Sequence, residues 1–168
     1  SFIVVALNAG EKINSLINDL RKQDYDHNSI EIIFVDSNSS DNTKGIMHNF
    51  ANSNHDFLRV CVLDNPKKIL PCGWNIALTE AKGDVILRVD AHAHIPTDFI
   101  SQNVKSMEDG ERITGGPRIS IIDEKSNWQR TLLIAEKSMF GSGIAKYRHS
   151  DSMQYVNTLA HAAYRREV

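Results

Sequence analysis

The stretch Asp84-Val85-Ile86-Leu87-Arg88-Val89-Asp90-Ala91-His92-Ala93-His94 decides how the chain is read. Four of its first six residues are apolar, and polarity arrives abruptly at Asp90. A buried strand that delivers a ligand-facing tip at its carboxyl end has this pattern. Extended continuation to His94 would put Arg88, Asp90, His92 and His94 on one face, because side chains alternate along a strand. A carboxylate and two imidazoles so placed can hold a divalent cation, and the cation a phosphate. The same residues serve equally as a surface loop with solvated histidines, so the neighbouring segments have to decide.

Upstream, Phe2 to Leu7 is a continuous apolar run, as in a strand covered on both faces. Asn8-Ala9-Gly10 breaks it, and Ile13, Leu16, Ile17 and Leu20 then recur at helical spacing, predicting a helix from about Glu11 to Gln23. Ile30 to Val35 is a second buried strand, followed by the turn-forming cluster Asp36-Ser37-Asn38-Ser39-Ser40-Asp41. Ile46, Met47 and Phe50 mark another helix, and Phe57 to Leu63 another strand. Asn65-Pro66-Lys67-Lys68 is a loop, Pro71 can open a helix running to Lys82, and Gly83 ends it. Downstream of the Asp84–Asp90 strand, Pro96-Thr97-Asp98 starts a helix carrying Phe99, Ile100, Val104 and Met107. Strand–helix units in succession predict an α/β fold with a mainly parallel central sheet and helices on both faces.

After Gly110 the pattern changes. Arg112 to Ile122 contains Gly115-Gly116-Pro117 and reads as a strand or loop passing close to another backbone. Ser126 can cap a helix with Trp128, Leu132, Leu133 and Ala135; Gly141 and Gly143 suggest a loop with Lys146, Tyr147 and Arg148; Met153 to Thr158 reads as a short strand, and 160–166 stays open.

The chain has 168 residues, 41% hydrophobic and 24% charged, with a net charge of −2. That predicts one domain over residues 1–168 and gives no electrostatic case for nucleic acid or an anionic membrane surface. Cys61 and Cys72 sit in no metal or redox spacing, which fits a reducing, cytoplasmic setting. No apolar run approaches the ~18 residues of a membrane span, and no signal peptide is present. Ser1-Phe2-Ile3 begins inside a strand and Tyr164–Val168 stops inside an element, so the chain reads as a piece of something longer, truncated at both ends.

In open α/β sheets ligands bind beyond the carboxyl ends of the strands. Three polar clusters fall there: Leu7-Asn8 through Glu11, Asp36 through Asp41, and Asp90 through His94. Neither G-x-G-x-x-G nor G-x-x-x-x-G-K-[ST] occurs, which argues against Rossmann dinucleotide and P-loop sites. A pyrophosphate here would need a cation or basic side chains instead. Asp36, ending a buried strand, can accept from a base N–H or ribose hydroxyls, or cap the turn before Thr43.

The order strand, Leu7-Asn8-x-x-Glu11, helix, Glu31-Ile-Ile-Phe-Val-Asp36-Ser-x-Ser-x-Asp41-x-Thr43, then Asn75 before Gly83-Asp84, resembles a family 2 inverting glycosyltransferase with a GT-A fold. Val89-Asp90-Ala91-His92-Ala93-x-x-Pro96, with Phe140-Gly141-x-Gly143-x-Ala145-x-Tyr147-Arg148, Tyr155-Val156-x-Thr158 and Ala163–Val168, is similar to the succinoglycan-type exopolysaccharide glucosyltransferases. The likeness covers essentially the whole chain and says little about which sugar.

The resemblance implies that Ala6, Leu7 and Asn8 with Glu11 line the nucleoside pocket and that Asp36 binds uracil. It puts Lys67, Lys68 and Asn75 near the base or phosphates. Asp90 and Ala91 would lie against the nucleotide-sugar, with Asp90 and His92 taking the first and third positions of the Asp-x-Asp motif as metal ligands. Histidine at that third position, where most of the family has aspartate, suits later transition metals, so Mn²⁺ is expected to serve better than Mg²⁺. The implied reaction is a hexosyl transfer with inversion, from a UDP-sugar (UDP-glucose first) to a growing, lipid-linked saccharide in exopolysaccharide biosynthesis. The longer protein would be associated with the cytoplasmic face of a membrane. In the family the catalytic base follows the segment matching Tyr164–Val168. Glu136 and Asp151 do not stand in its context, so this piece is expected to bind donor yet transfer poorly or not at all. Gly115-Gly116 would flank the donor sugar or acceptor, unless it is simply a turn. Trp74 and Trp128 would stack sugars or pack, and Arg165 and Arg166 would contact phosphate or stay solvated. The rivals are a non-catalytic nucleotide-sugar binding module, a nucleotidyltransferase, and a structural zinc site at His92 and His94.

Overall fold

Five consecutive buried residues, Phe2–Ala6, form strand β1, and the computed structural model of the chain is organised around them. It describes residues 1–53, 56–117, 119–138 and 153–168. The other strands are β2 (Glu31–Asp36), β3 (Arg59–Asp64), β4 (Val85–Arg88), β5 (Ile113–Thr114) and β6 (Ala162–Arg165), in the sheet order β3-β2-β1-β4-β6-β5. β1 runs parallel to both β2 and β4, and β2 runs parallel to β3. β5 pairs antiparallel with β6. The mainly parallel sheet is therefore present, with a short antiparallel edge.

Helices α1 (Glu11–Leu20), α2 (Thr43–Ser53), α3 (Leu70–Glu80) and α4 (Phe99–Glu108) join these strands. Strand alternation sorts the core into two faces. Phe2, Val4, Ala6, Ile32 and Phe34 pack with Ile13, Leu16 and Leu20 of α1, Met47 and Phe50 of α2, and Ile100 and Met107 of α4. Ile3, Val5, Ile33 and Val35 pack on the other face with Ala77 of α3, with Trp74 beside them. β1 and β2 are buried on both faces, which is why Phe2–Ala6 and Ile32–Val35 read as unbroken apolar runs. Pro71 sits in the first turn of α3, where its missing N–H costs nothing.

One carboxylate ties the amino ends of all four parallel strands. Glu31, the first residue of β2 and 4% exposed, accepts the Ser1 hydroxyl ahead of β1, the Lys82 and Gly83 N–H groups ahead of β4, and the guanidinium of Arg59, which opens β3. Arg59 reaches on to Glu80 of α3. Burial pushes the Glu31 carboxyl up, but the hydrogen bonds from Ser1, Lys82, Gly83 and Arg59 outweigh it and bring it down to about 2.

The chain falls into two compact units, Ser1–Thr114 with Ala163–Val168, and Gly115–Ala162. Within the second, Ser126 caps α5 (Asn127–Lys137) by accepting the Gln129 N–H at 3.3 Å, as its position predicted. Residues 153–158 form no strand; the strand of this region lies further on, at Ala162–Arg165. The loop around Gly141, Gly143, Lys146, Tyr147 and Arg148 falls outside the described residues.

Candidate functional site

β2 and β4 flank β1 and run the same way, so the carboxyl ends of three adjacent strands meet at one edge of the sheet. The loops after β1, β2 and β3 leave at one level, whereas β4 ends opposite Ile3. Ser37 N–H donates to Ala6 O at 2.8 Å, and Asn65 N–H to Asp36 O at 2.8 Å. Ala6 ends β1 directly opposite Asp36 in the register. Asp36 is only 2% exposed, and its carboxylate accepts the Ser39 N–H at 3.1 Å. That bond leaves carboxylate lone pairs for a further donor. The turn before Thr43 is capped by a different residue: Asp41 Oδ1 accepts both the N–H and the hydroxyl of Thr43.

The loop after β1 is held by the loop after β2. Asn8 N–H donates to Ser39 Oγ at 2.9 Å, and Asn8 Oδ1 accepts the Ser40 N–H at 2.8 Å, with Asn8 at φ 50. Gly10, at φ 48, donates its N–H to Thr43 Oγ1 at 2.9 Å. A Cβ on Gly10 would lie 3.3 Å from Asp41 Oδ2, so both backbone and space favour glycine there. Leu7, beside it, is 50% exposed at this edge. Glu11 is exposed in the first turn of α1 and accepts from Asn14 Nδ2 at 2.9 Å. A carboxylate suits the positive end of the helix.

Sequence reading missed Asn65 as a structural knot, treating it as part of a loop. It is fully buried, donates to Ser37 Oγ and to Ile69 O at 3.0 Å each, and its Oδ1 has no hydrogen-bond partner among the described residues. Its position, a polar residue immediately after a strand, was the available signal. Lys68, at φ 58, and Asn75, on α3, are both exposed. Lys44, also missed, forms an ion pair with Asp64 at 2.6 Å. That hydrogen bond, with the charges of Asp64 and Asp36, raises its pKa against the effect of burial.

The Asp90 region corrects the shared-face expectation. β4 ends at Arg88, and the last contact to β1 is Val89 N–H to Ile3 O at 3.2 Å. The chain then turns, with Ala93 N–H donating to Asp90 O at 3.0 Å, so alternation stops. Arg88 lies over the Trp74 ring at 5.4 Å, and His94 Nδ1 meets Asp19 Oδ2 at 3.0 Å. Asp90 is half-buried, Ala91 buried and His92 exposed. Among the described residues no group of three or more His, Cys, Asp and Glu could hold a metal. Asp90 and His92 alone are fewer than a cation's ligand set, so a cation held there would need its remaining ligands from a diphosphate and water.

Arg165 and Arg166 bind backbone carbonyls rather than lying free. Arg165 donates to Glu111 O and Met107 O at the end of α4, and Arg166 to Gly83 O at 3.0 and 2.9 Å, just ahead of β4. They therefore belong to the amino edge, where a groove of about 820 Å³ opens among Phe2, Leu87, Ile100 and Arg166, away from Asp36 and Asp90. Within the second unit, a Cβ on Gly115 would lie 2.5 Å from His161 O, whereas one on Gly116 would meet nothing among the described residues within 4 Å. Trp74 packs, whereas Trp128 is 70% exposed. Asp151 lies outside the described residues.

Comparison with known proteins agrees with this architecture. The chain is 29% identical over 151 residues to the succinoglycan biosynthesis protein ExoA of Rhizobium meliloti, covering 87% of this chain and 43% of that protein. Mannosyltransferase PcManGT of Pyrobaculum calidifontis, solved with GDP-Man and Mn²⁺, superposes with a TM-score of 0.67 at 23% identity, over 99% of this chain and 44% of that one. TarS 1-349 of S. aureus, in complex with UDP-GlcNAc, gives 0.59 at 23% identity over 73% and 36%. The chain thus spans less than half the length of these relatives. The family model described as glycosyl transferase family 2 matches residues 1–168, so with its parallel sheet and strand-end carboxylates the chain belongs to that family and has the GT-A fold.

Proposed function

We propose that this chain is the donor-binding part of an inverting glycosyltransferase that takes a UDP-sugar and serves polysaccharide biosynthesis. The observation that carries the reading is the pair of acidic residues Asp36, which ends β2, and Asp90, two residues past β4, on either side of β1 at one sheet edge. Asp36 is buried, so a charge-assisted hydrogen bond from a uracil N–H would be little weakened by water. Ala6, Leu7 and Asn8 form the adjacent wall, held by the Ser39 and Ser40 contacts. Lys68 and Asn75 are assigned to the base or phosphates, Ala91 to the donor's sugar-nucleotide body, and Glu11 to the pocket's outer rim.

Asp90 and His92 would hold a divalent cation carried in with the diphosphate, with Mn²⁺ favoured over Mg²⁺ by the imidazole. When bound, such a cation offsets the charge that grows on the departing UDP. An acceptor hydroxyl oxygen forms the new bond to the anomeric carbon as the bond to the diphosphate breaks, and its proton passes to a base. That base is unassigned. Glu136 is hydrogen-bonded to Ser120 at 2.8 Å within its own unit.

The family match and the UDP-GlcNAc and Mn²⁺ complexes of the structural neighbours support transfer over nucleotidyl transfer. UDP-glucose as donor, a lipid-linked saccharide acceptor and a cytoplasmic working face of the membrane belong to the same proposal and rest on the sequence resemblance. Among the described residues no helix is long and apolar enough to cross a membrane. A thermal-shift scan tests the reading: UDP with Mn²⁺ at about 100 times its Kd should add about 2.7 kcal/mol of stability. Equal melting with and without them would refute it.

A further inference from the structure

We propose that Asp19 and Gln23 are positioning residues for the Asp90–His92 turn, clasping the segment that follows it and thereby fixing how the turn meets a diphosphate-borne cation. The inference rests on the donor reading above and extends it to Asp19 on α1 and Gln23 just past its end.

The turn is held at two ends. Upstream, Val89 N–H is bonded to Ile3 O. Downstream, Asp19 Oδ2 accepts from His94 Nδ1 at 3.0 Å and from the Ile95 N–H at 3.3 Å. Asp90–Ala93 is all that lies between these anchors. Ala91 and Ile95 are buried apolar pegs in the same core as α1. Just past the end of α1, the Gln23 side chain donates to Pro96 O at 2.8 Å and accepts the Ile100 N–H at 3.0 Å. Asp24 N–H adds a bond to Thr97 O at 2.9 Å. Ile100 is in the first turn of α4, where N–H groups lack helical partners, and the N-cap Asp98 makes no side-chain cap bond. Gln23 caps α4 from another element.

This arrangement does more than join two helices. A two-donor cation site needs its donors held to within about 0.5 Å. Among the described residues the exposed His92 makes no bond that would set the turn, so the setting comes from the neighbours. Of the two clasps, Gln23 is buried and is expected to matter for folding as well. Asp19 reaches a half-exposed histidine and one N–H, so its effect separates from stability.

The test is calorimetric titration of the 168-residue chain with UDP, with and without Mn²⁺, read as the gain in UDP affinity that Mn²⁺ confers, alongside the melting temperature. For Asp19→Ala this gain should fall about tenfold, the low end of what outer-shell partners contribute. Asp19→Asn, which keeps an acceptor oxygen, should recover most of it. A wild-type gain in Asp19→Ala overturns the proposal, as does a lower melting temperature with the gain intact. Should Asp19→Ala fail to fold, His94→Ala removes the exposed half of the contact and is judged by the same gain. A wild type that binds UDP with no effect of Mn²⁺ also overturns the clasp. A wild type that does not bind UDP at all refutes the donor reading, a different and recognisable result, and the clasp falls with it.

Discussion

Replacing Glu31 with glutamine should unfasten the amino edge of the sheet. The carboxylate receives the Ser1 hydroxyl, two backbone N–H groups and the Arg59 guanidinium while almost wholly buried. Its pKa, about 2 against an ordinary 4.5, corresponds to on the order of 3 kcal/mol of stability at neutral pH. Because the folded-state value is depressed, this contribution is fully present above the unfolded carboxyl's pKa and is lost as pH falls from about 4.5 toward about 2. Glutamine keeps the shape and one acceptor oxygen, but it loses the charge and confronts one or more N–H donors with its own NH₂. For a chain of this length about 3 kcal/mol lowers Tm by roughly 6–12 °C. Thermal melts of wild type and Glu31→Gln from pH 7 to pH 2 measure it. The gap should be widest near neutrality and close on acidification. Melting within about 2 °C of wild type at pH 7, or a gap that ignores pH, would refute the reasoning.

Other perturbations act on the carboxyl edge. Asp36→Asn should weaken UDP binding at least about tenfold, since a hydrogen bond to a charged group is worth ~1.5–3 kcal/mol; titration calorimetry reads it, and affinity within about twofold of wild type would contradict the assignment. His92→Asp should move the cation preference from Mn²⁺ toward Mg²⁺, because an oxygen donor replaces an imidazole; UDP affinity measured with each ion checks it, and an unchanged preference would take His92 out of the site. Gln23→Ala should cost ~1–3 kcal/mol by leaving the buried Ile100 N–H and the Pro96 carbonyl unpaired; denaturant unfolding measures it, and a neutral variant would mean that α4 does not need this cap.

The fold was legible where burial acts on both faces of a strand. Phe2–Ala6 and Ile32–Val35 are apolar runs because helices cover them above and below. The acidic strand end Asp36 was legible for the same reason, since a carboxylate closing such a run stands out. The Asp90 turn was half legible. Composition flagged it, but alternation was carried past Arg88, where pairing with β1 stops and the chain reverses. His94 was misread because its partner, Asp19, is 75 residues away on a helix face that looks solvated in sequence. Gln23 hides in the same way, and Asn65 shows its role only once the ends of β2 and β3 are side by side. β6, Ala-Ala-Tyr-Arg, has little strand propensity of its own and owes its pairing to tertiary context, whereas Met153–Thr158 has the composition of a strand and forms none.

On the proposed function, the two acidic strand ends grip one nucleoside diphosphate from either side of β1. A crystal structure of the chain with UDP and Mn²⁺ tests it directly. Uracil hydrogen-bonded to the Asp36 carboxylate, with the diphosphate and its ion against Asp90 and His92, is the predicted result. UDP seated elsewhere, or bound with Asp36 or Asp90 untouched, would contradict it.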